Sequence, residues 1–316
     1  MERRLSFGLI LGSIMLLLGT SCSSSDDDSA NELDNGRKPR MLTIIQADGE
    51  RAPLRIYDDL TRTLISESDG NLSAVWSKGD VLNCCNLSLV FQEPFNFSLT
   101  TQEEGLTSSF TGTVNCMEQD QLALVYPSTN LNSSGKYTIN LSGQDGSLGK
   151  LASSYHQIYG SATVTSVTDN TATASVTMKS LLTVCKFSFV EKNAVNNGLL
   201  SIDELRINYV DDLGNSLPYP ETIEITANSN QDLVKAVAGT DFDNEGLIIN
   251  TTNSRTEVYV ALLPSYASDN QYLSRTFRFT VLSGGNTYVG DAKAALKPGE
   301  FVAATGLKLN KITNNN

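Results

Sequence analysis

Histidine is nearly missing: the 316 residues hold one, His156. That excludes a His-rich metal site and any acid–base scheme built on two imidazoles. The five cysteines form no C-x-x-C pair, which disfavours a structural zinc. The chain has no P-loop and no G-x-G-x-x-G, so nothing is laid out to cradle a nucleotide's phosphates. It also has no G-x-S-x-G to supply a nucleophile for His156, which sits in a polar stretch and reads as a surface or hydrogen-bonded histidine. Basic residues are short as well: 23 Lys and Arg against 35 Asp and Glu give a formal charge of −12. So acidic a chain repels phosphate backbones and makes nucleic acid an unfavourable partner. Asp241–Gly246 superficially resembles the start of a calcium loop, but Thr252 stands where the bidentate glutamate belongs, so the match fails. No cofactor is implied.

What is present begins with an address. Arg3 and Arg4 precede an apolar run, Leu5 to Leu18, and the small residues Gly19-Thr20-Ser21 lead to Cys22. This is a secretory signal over 1–21, too short for a comfortable membrane span. Its end resembles a bacterial lipobox, with Gly19 where an aliphatic residue is usual, and Cys22 is the expected lipidation site. The tract Ser23-Ser24-Ser25-Asp26-Asp27-Asp28 has nothing to bury and reads as a solvated tether over 22–40. An acidic run after a lipidated cysteine resembles the surface-export signal of Bacteroidetes lipoproteins, and Asp28-Ser29-Ala30 resembles that phylum's O-glycosylation sequon at Ser29.

From Met41 onward apolar residues alternate with polar ones, the period of half-buried strands. Tyr137, Ile139 and Leu141 alternate with Lys136, Thr138 and Asn140; Ala172, Ala174, Val176 and Met178 do so with Thr173, Ser175, Thr177 and Lys179. Only Gln231 to Ala238 allows a short helix. Turn signals such as Asp169-Asn170, Leu213-Gly214-Asn215 and Gly284-Gly285-Asn286 punctuate the strands. The pattern predicts an all-β chain of β-sandwiches. The polar stretch Glu191–Gly198 places a boundary between an N-terminal domain, 41–193, and a C-terminal domain, 198–311. Beyond Cys22, Cys84, Cys85, Cys116 and Cys185 read as buried thiols, with a Cys85–Cys185 or Cys85–Cys116 disulfide as the alternative.

A set of short motifs follows in order. Thr61-Arg62-Thr63 precedes Trp76-Ser77-Lys78-Gly79-Asp80; then come Phe110-Thr111-Gly112, Tyr126-Pro127 after an aliphatic run, Gln144-Asp145-Gly146, and a closing Leu296–Phe301 with Leu307-Lys308-Leu309. Physically they read as scaffolding: Trp76 fills core, Gly79-Asp80 makes a turn, and Tyr126-Pro127 ends a strand. Their order resembles the fimbrillin family of Bacteroidetes surface lipoproteins.

That resemblance implies two transthyretin-like β-sandwich domains, no enzymatic activity, and a place in a fimbrium at the outer membrane as stalk, anchor or tip. It also implies assembly with other pilus subunits by β-strand addition, after an arginine-specific protease removes an N-terminal strand. Here that strand is Met41 to Asp48, with Arg51, Arg55 and Arg62 as possible cut sites, and Phe301 to Leu309 as the donor candidate. The alternative function is a glycan-binding outer-membrane lipoprotein of a polysaccharide-uptake system, which requires an exposed aromatic platform.

Overall fold

The computed structural model describes residues 36–46, 65–68, 71–89, 94–195, 198–227, 234–236, 246–265 and 272–312. The period-two pattern becomes strands nearly throughout. In β1 (Lys38–Gln46), Arg40, Leu42, Ile44 and Gln46 are buried while Met41 and Ile45 are exposed. β1 starts ahead of Met41, so Lys38, Pro39 and Arg40 belong to the folded strand rather than to a tether. They are held there because they pair with Cys116, Asn115 and Val114. Next in the chain come β2 (Ile65–Ser68) and β3 (Asn71–Ala74), which pair as a separate hairpin.

The first large sheet closes on itself. After β1 its members are β4 (Val81–Asn86), β5 (Asn96–Thr101), β6 (Ser109–Cys116) and β7 (Gln121–Tyr126). Farther along the chain follow β8 (Lys136–Asn140), which lies outside this sheet, and then β9 (Ile158–Val167) and β10 (Thr171–Ser180), which complete it. The order is β1-β10-β9-β7-β4-β5-β6, and β6 pairs back onto β1. β1 is therefore an internal strand, antiparallel to β6 and parallel to β10, and it does not lie at an open edge. Inside the ring the even-numbered residues Leu42, Ile44, Phe110, Leu122, Leu124, Val164, Val176 and Met178 form the core. Full burial of each such side chain stabilises by about 1.5–3 kcal/mol relative to exposure.

The remaining strands are β11 (Thr183–Glu191), β12 (Ile202–Val210), β13 (Ser216–Leu217), β14 (Thr222–Thr226), β15 (Val234–Ala236), β16 (Leu247–Arg255), β17 (Val258–Leu262), β18 (Arg275–Ser283), β19 (Asn286–Ala294) and β20 (Phe301–Lys311). An eight-stranded sheet runs β13-β12-β18-β19-β20-β11-β17, with β16 also on β12. Its core is aromatic: Phe187 and Phe189 meet Phe279, and Tyr209 meets Tyr219 and Phe277. β11 lies before the polar break at 193–198 yet pairs with β17 and β20, so the chain changes sheet at Leu181-Leu182.

A third sheet joins the two halves of the sequence. β8 pairs with β14, aligning Tyr137 with Ile225 and Ile139 with Ile223, and all four are buried. β15 adds to β14, so the 234–236 part of the stretch read as helical is strand; ladder bonds to β14 outweigh local helix propensity there. Gln144 ties the halves further: its Nε2 donates to the carbonyls of Leu141 and Ala261, at 3.0 and 3.1 Å, and its Oε1 accepts from the Ala261 N–H at 2.7 Å. The helical content near it is one short piece, Leu148–Lys150, continuing as a wider turn over Leu151–Tyr155.

Candidate functional site

The site is the slot that β1 fills between β6 and β10. Leu42-Thr43-Ile44-Ile45 is a run of good strand formers, and alternation aims Leu42 and Ile44 inward, both with no exposed surface. Opposite them stand Gly112 and Phe110 on β6 and Ala172 and Ala174 on β10. The outward residues Met41 and Ile45 remain 50% and 61% exposed. The slot is thus apolar along its floor and open along its roof.

Each end of the slot is polar. At the entry end, the turn Met117–Asp120 places Gln119 at φ 72° and folds the Asp120 carboxylate inward to 2% exposure. That carboxylate accepts from the Met117 N–H at 3.0 Å and from Asn86 Nδ2 at 2.8 Å. Arg37 grips it with Nε at 3.0 Å from both oxygens and Nη2 at 2.7 Å from one. Arg40 is buried beside it, donating from Nε to the Thr168 carbonyl at 2.8 Å and from Nη1 to the Cys116 carbonyl. The Lys38–Asp169 pair at 3.2 Å is on the surface, with Asp169 95% exposed, and contributes little.

At the far end, Gln46 Oε1 accepts from Trp76 Nε1 at 2.7 Å. Trp76 is fully buried and meets Phe110 and Tyr126 edge-on, with ring centroids 5.1 and 5.4 Å apart. Three motifs scattered through the sequence therefore make one aromatic cluster that ends the slot. Gly79, at φ +89°, and Asp80, whose carboxylate accepts from the Ser77 N–H at 2.9 Å, build the turn after Trp76. Pro127 follows Tyr126 through a cis peptide bond as β7 ends.

Other residues singled out from sequence sit elsewhere. Cys22, Ser29, Arg51, Arg55 and Arg62 lie outside the described residues, as do 241–245 of the acidic loop. Cys84, Cys85, Cys116 and Cys185 are all buried and free, so neither disulfide alternative is formed. The register explains it: Cys116 faces into the ring, Cys85 faces out of it, and Cys185 is in another sheet. Burial pushes the Cys116 thiol up to about 11 and raises those of Cys84 and Cys185 well above the ordinary range. His156 is buried and hydrogen-bonded, its Nε2 3.0 Å from Ser180 Oγ. Among the described residues no group of three or more His, Cys, Asp or Glu is placed to hold a metal.

A shallow groove of about 560 Å³ opens at the end of the second large sheet, between Tyr209, Pro218, Arg275 and Lys293. Arg275 lies over the Tyr209 ring, 5.4 Å from its centroid, so that ring is not a free stacking face.

The sequence reading missed Arg37, Arg40, Asn86 and Asp120. Arg37 and Arg40 stood in what looked like tether, and Asp120 closes Glu118-Gln119-Asp120, which reads as a solvated turn. Only the register of β1 brings them together.

No family model matches the chain, and no curated protein matches it. Solved structures do. A candidate cell adhesion protein from Bacteroides uniformis ATCC 8492 aligns with a TM-score of 0.53 at 13% identity, over 88% of this chain and 97% of its own. One described in the same words from Bacteroides ovatus ATCC 8483 gives 0.48 at 11% identity, over 88% and 96%. A fimbrial assembly protein from Parabacteroides distasonis ATCC 8503 gives 0.40 at 10%, over 86% and 92%. The first of these likenesses establishes a shared all-β fold.

Proposed function

We propose that this chain is a fimbrillin-like subunit of a surface pilus, a structural rather than catalytic protein, that assembles with its neighbours by exchange of β1. The observation that carries this reading is the position of β1. It fills an internal slot, yet it is joined to the rest of the fold through 47–64, the segment that holds Arg51, Arg55 and Arg62. A cut at any of the three leaves β1 held only by its ladder bonds, Leu42, Ile44 and the polar contacts at its ends. Its departure opens two unpaired edges, β6 and β10, over an apolar floor, which is a receptor for an extended strand. Cys22 serves as the lipid anchor at the outer membrane, and Ser29 on the tether is the glycosylation position.

The glycan-binding alternative rested on an aromatic platform. Trp76 is buried, and Tyr209 is covered by Arg275. The adhesive, strand-exchanging reading is therefore preferred. Its test is limited digestion of the purified full chain with an arginine-specific protease, followed by N-terminal sequencing and sizing. The expected result is a new N-terminus within 52–63 and growth of high-mass species. Cleavage there with the cut protein remaining monomeric at high concentration contradicts it.

A further inference from the structure

The groove at the end of the second large sheet holds two cations that the fold does not use. Thr276 on β18 stands opposite Val210 on β12 and Lys293 on β19. Arg275, one position earlier, falls on the other face by strand alternation and lies over Tyr209. The groove sits where these strands end, so Arg275 and Lys293 reach it from opposite sides of the sheet. Both are exposed, and among the described residues neither is in an ion pair. The neighbouring cation is committed: Arg278 donates from Nε and Nη2 to the two oxygens of Asp291, each at 2.9 Å. In a chain of formal charge −12, two free cations on one concave surface are a local exception to the field of the whole molecule.

The arginine is also held in place. Its guanidinium carbon lies 5.4 Å from the centroid of the Tyr209 ring. That ring is itself wedged between Tyr219 and Phe277, with centroids 4.8 and 5.4 Å away. A guanidinium seated on an aromatic ring keeps its planar fork of donors and loses less freedom on meeting a carboxylate.

We propose that this groove is an adhesive site for an acidic sugar, a saccharide unit that carries a carboxylate, such as a uronic or sialic acid. Arg275 and Lys293 take the carboxylate. The remaining lining suits the rest of a sugar ring: Leu217, 44% exposed, and Pro218 offer an apolar wall, and Ser274 and Asp212 offer polar groups to hydroxyls. A volume of about 560 Å³ is in the range of small-molecule sites. Asp212 argues against a bare inorganic anion, which it repels, whereas a sugar's hydroxyls donate to it. The grip is by charge, so no open aromatic platform is needed; Tyr209 serves as the seat of Arg275. The site goes beyond the pilus reading and asks nothing of β1, which lies in the other large sheet.

The test titrates the purified full chain by calorimetry with sialyllactose, a glucuronate-terminated disaccharide, neutral lactose and inorganic phosphate. At least one acidic saccharide should bind about tenfold or more tighter than lactose and than phosphate. Arg275→Gln and Lys293→Gln should each weaken that binding about tenfold. Both side chains are exposed, so both variants should keep the parent's thermal midpoint. Asp212→Asn should weaken the saccharide and strengthen phosphate. Equal binding of lactose overturns selection by charge, and phosphate binding as tight as the saccharide's overturns the sugar. Acidic-saccharide binding that survives both cation variants overturns the location, and no binding by any probe overturns the site. Arg275→Gln protein cut by an arginine-specific protease should assemble as the parent does, so failure here leaves the strand-exchange reading to its own test.

Discussion

Gly112 shows how a single residue sets the dimensions of the slot. A Cβ there would lie 2.3 Å from the Ser98 carbonyl oxygen and 2.8 Å from a Leu99 methyl, so β5 and β6 approach as closely as they do only over glycine. Because the first obstacle is backbone, Gly112→Ala is expected to destabilise by about 1–3 kcal/mol, read as a lowered thermal midpoint. The thiols make a second residue-scale prediction. Cys116 is held neutral up to about 11, and Cys84 and Cys185 are raised in the same direction, whereas in the unfolded chain each ionises near 9. Below that lower value the two states bind the same protons. Above it the unfolded state loses them first, so stability should fall as pH rises from about 9 through 11. Urea unfolding across that range checks it, and no loss there contradicts the burial of the thiols. At this scale the sequence was informative for apolar residues: Trp76 and the thiols of Cys84, Cys85, Cys116 and Cys185 are buried, as their strand positions suggest. His156 was less legible, because the partner that permits its burial, Ser180, is 24 positions away.

Among the elements, β1 is the one whose position was not legible. Its alternation was, but the pattern does not say which neighbours a strand finds, and β6 and β10 lie some 70 and 130 positions downstream by register. Nor does it say that Arg37 and Arg40 are part of the fold, since charged residues after a polar tract look solvated until Asp120 is known to be buried. The same limit hid the change of sheet before β11 and the pairing of β8 with β14, both set by distant partners. The entry-end contacts should be worth measuring on the uncut protein. Arg37→Ala removes a charged hydrogen-bond partner from an enclosed carboxylate and should lower stability by roughly 1–3 kcal/mol. It should also speed cleavage in 47–64 by loosening β1. Lys38→Ala, which removes only a surface pair, should change stability by less than about 0.5 kcal/mol.

For the whole molecule, residues 37–316 form a single compact unit by their internal contacts. The shared β8–β14 pairing, the Gln144–Ala261 bonds and the passage of β11 into the second large sheet account for it. Trp76 fluorescence, which reports the closed sheet, and far-ultraviolet circular dichroism, which reports every sheet, should therefore melt together; two separated transitions contradict one cooperative unit. All-β architecture was legible throughout because alternation is local, while the closing of the first sheet was not, because closure is a property of β1's two partners. The most direct test of the central claim fixes that strand in place. Thr43 and Thr111 face each other across β1 and β6, so Thr43→Cys with Thr111→Cys permits a cross-strand disulfide. After cutting in 47–64, the oxidised protein is predicted to stay monomeric and the reduced protein to release β1 and assemble. Assembly to the same extent in both states would contradict the account.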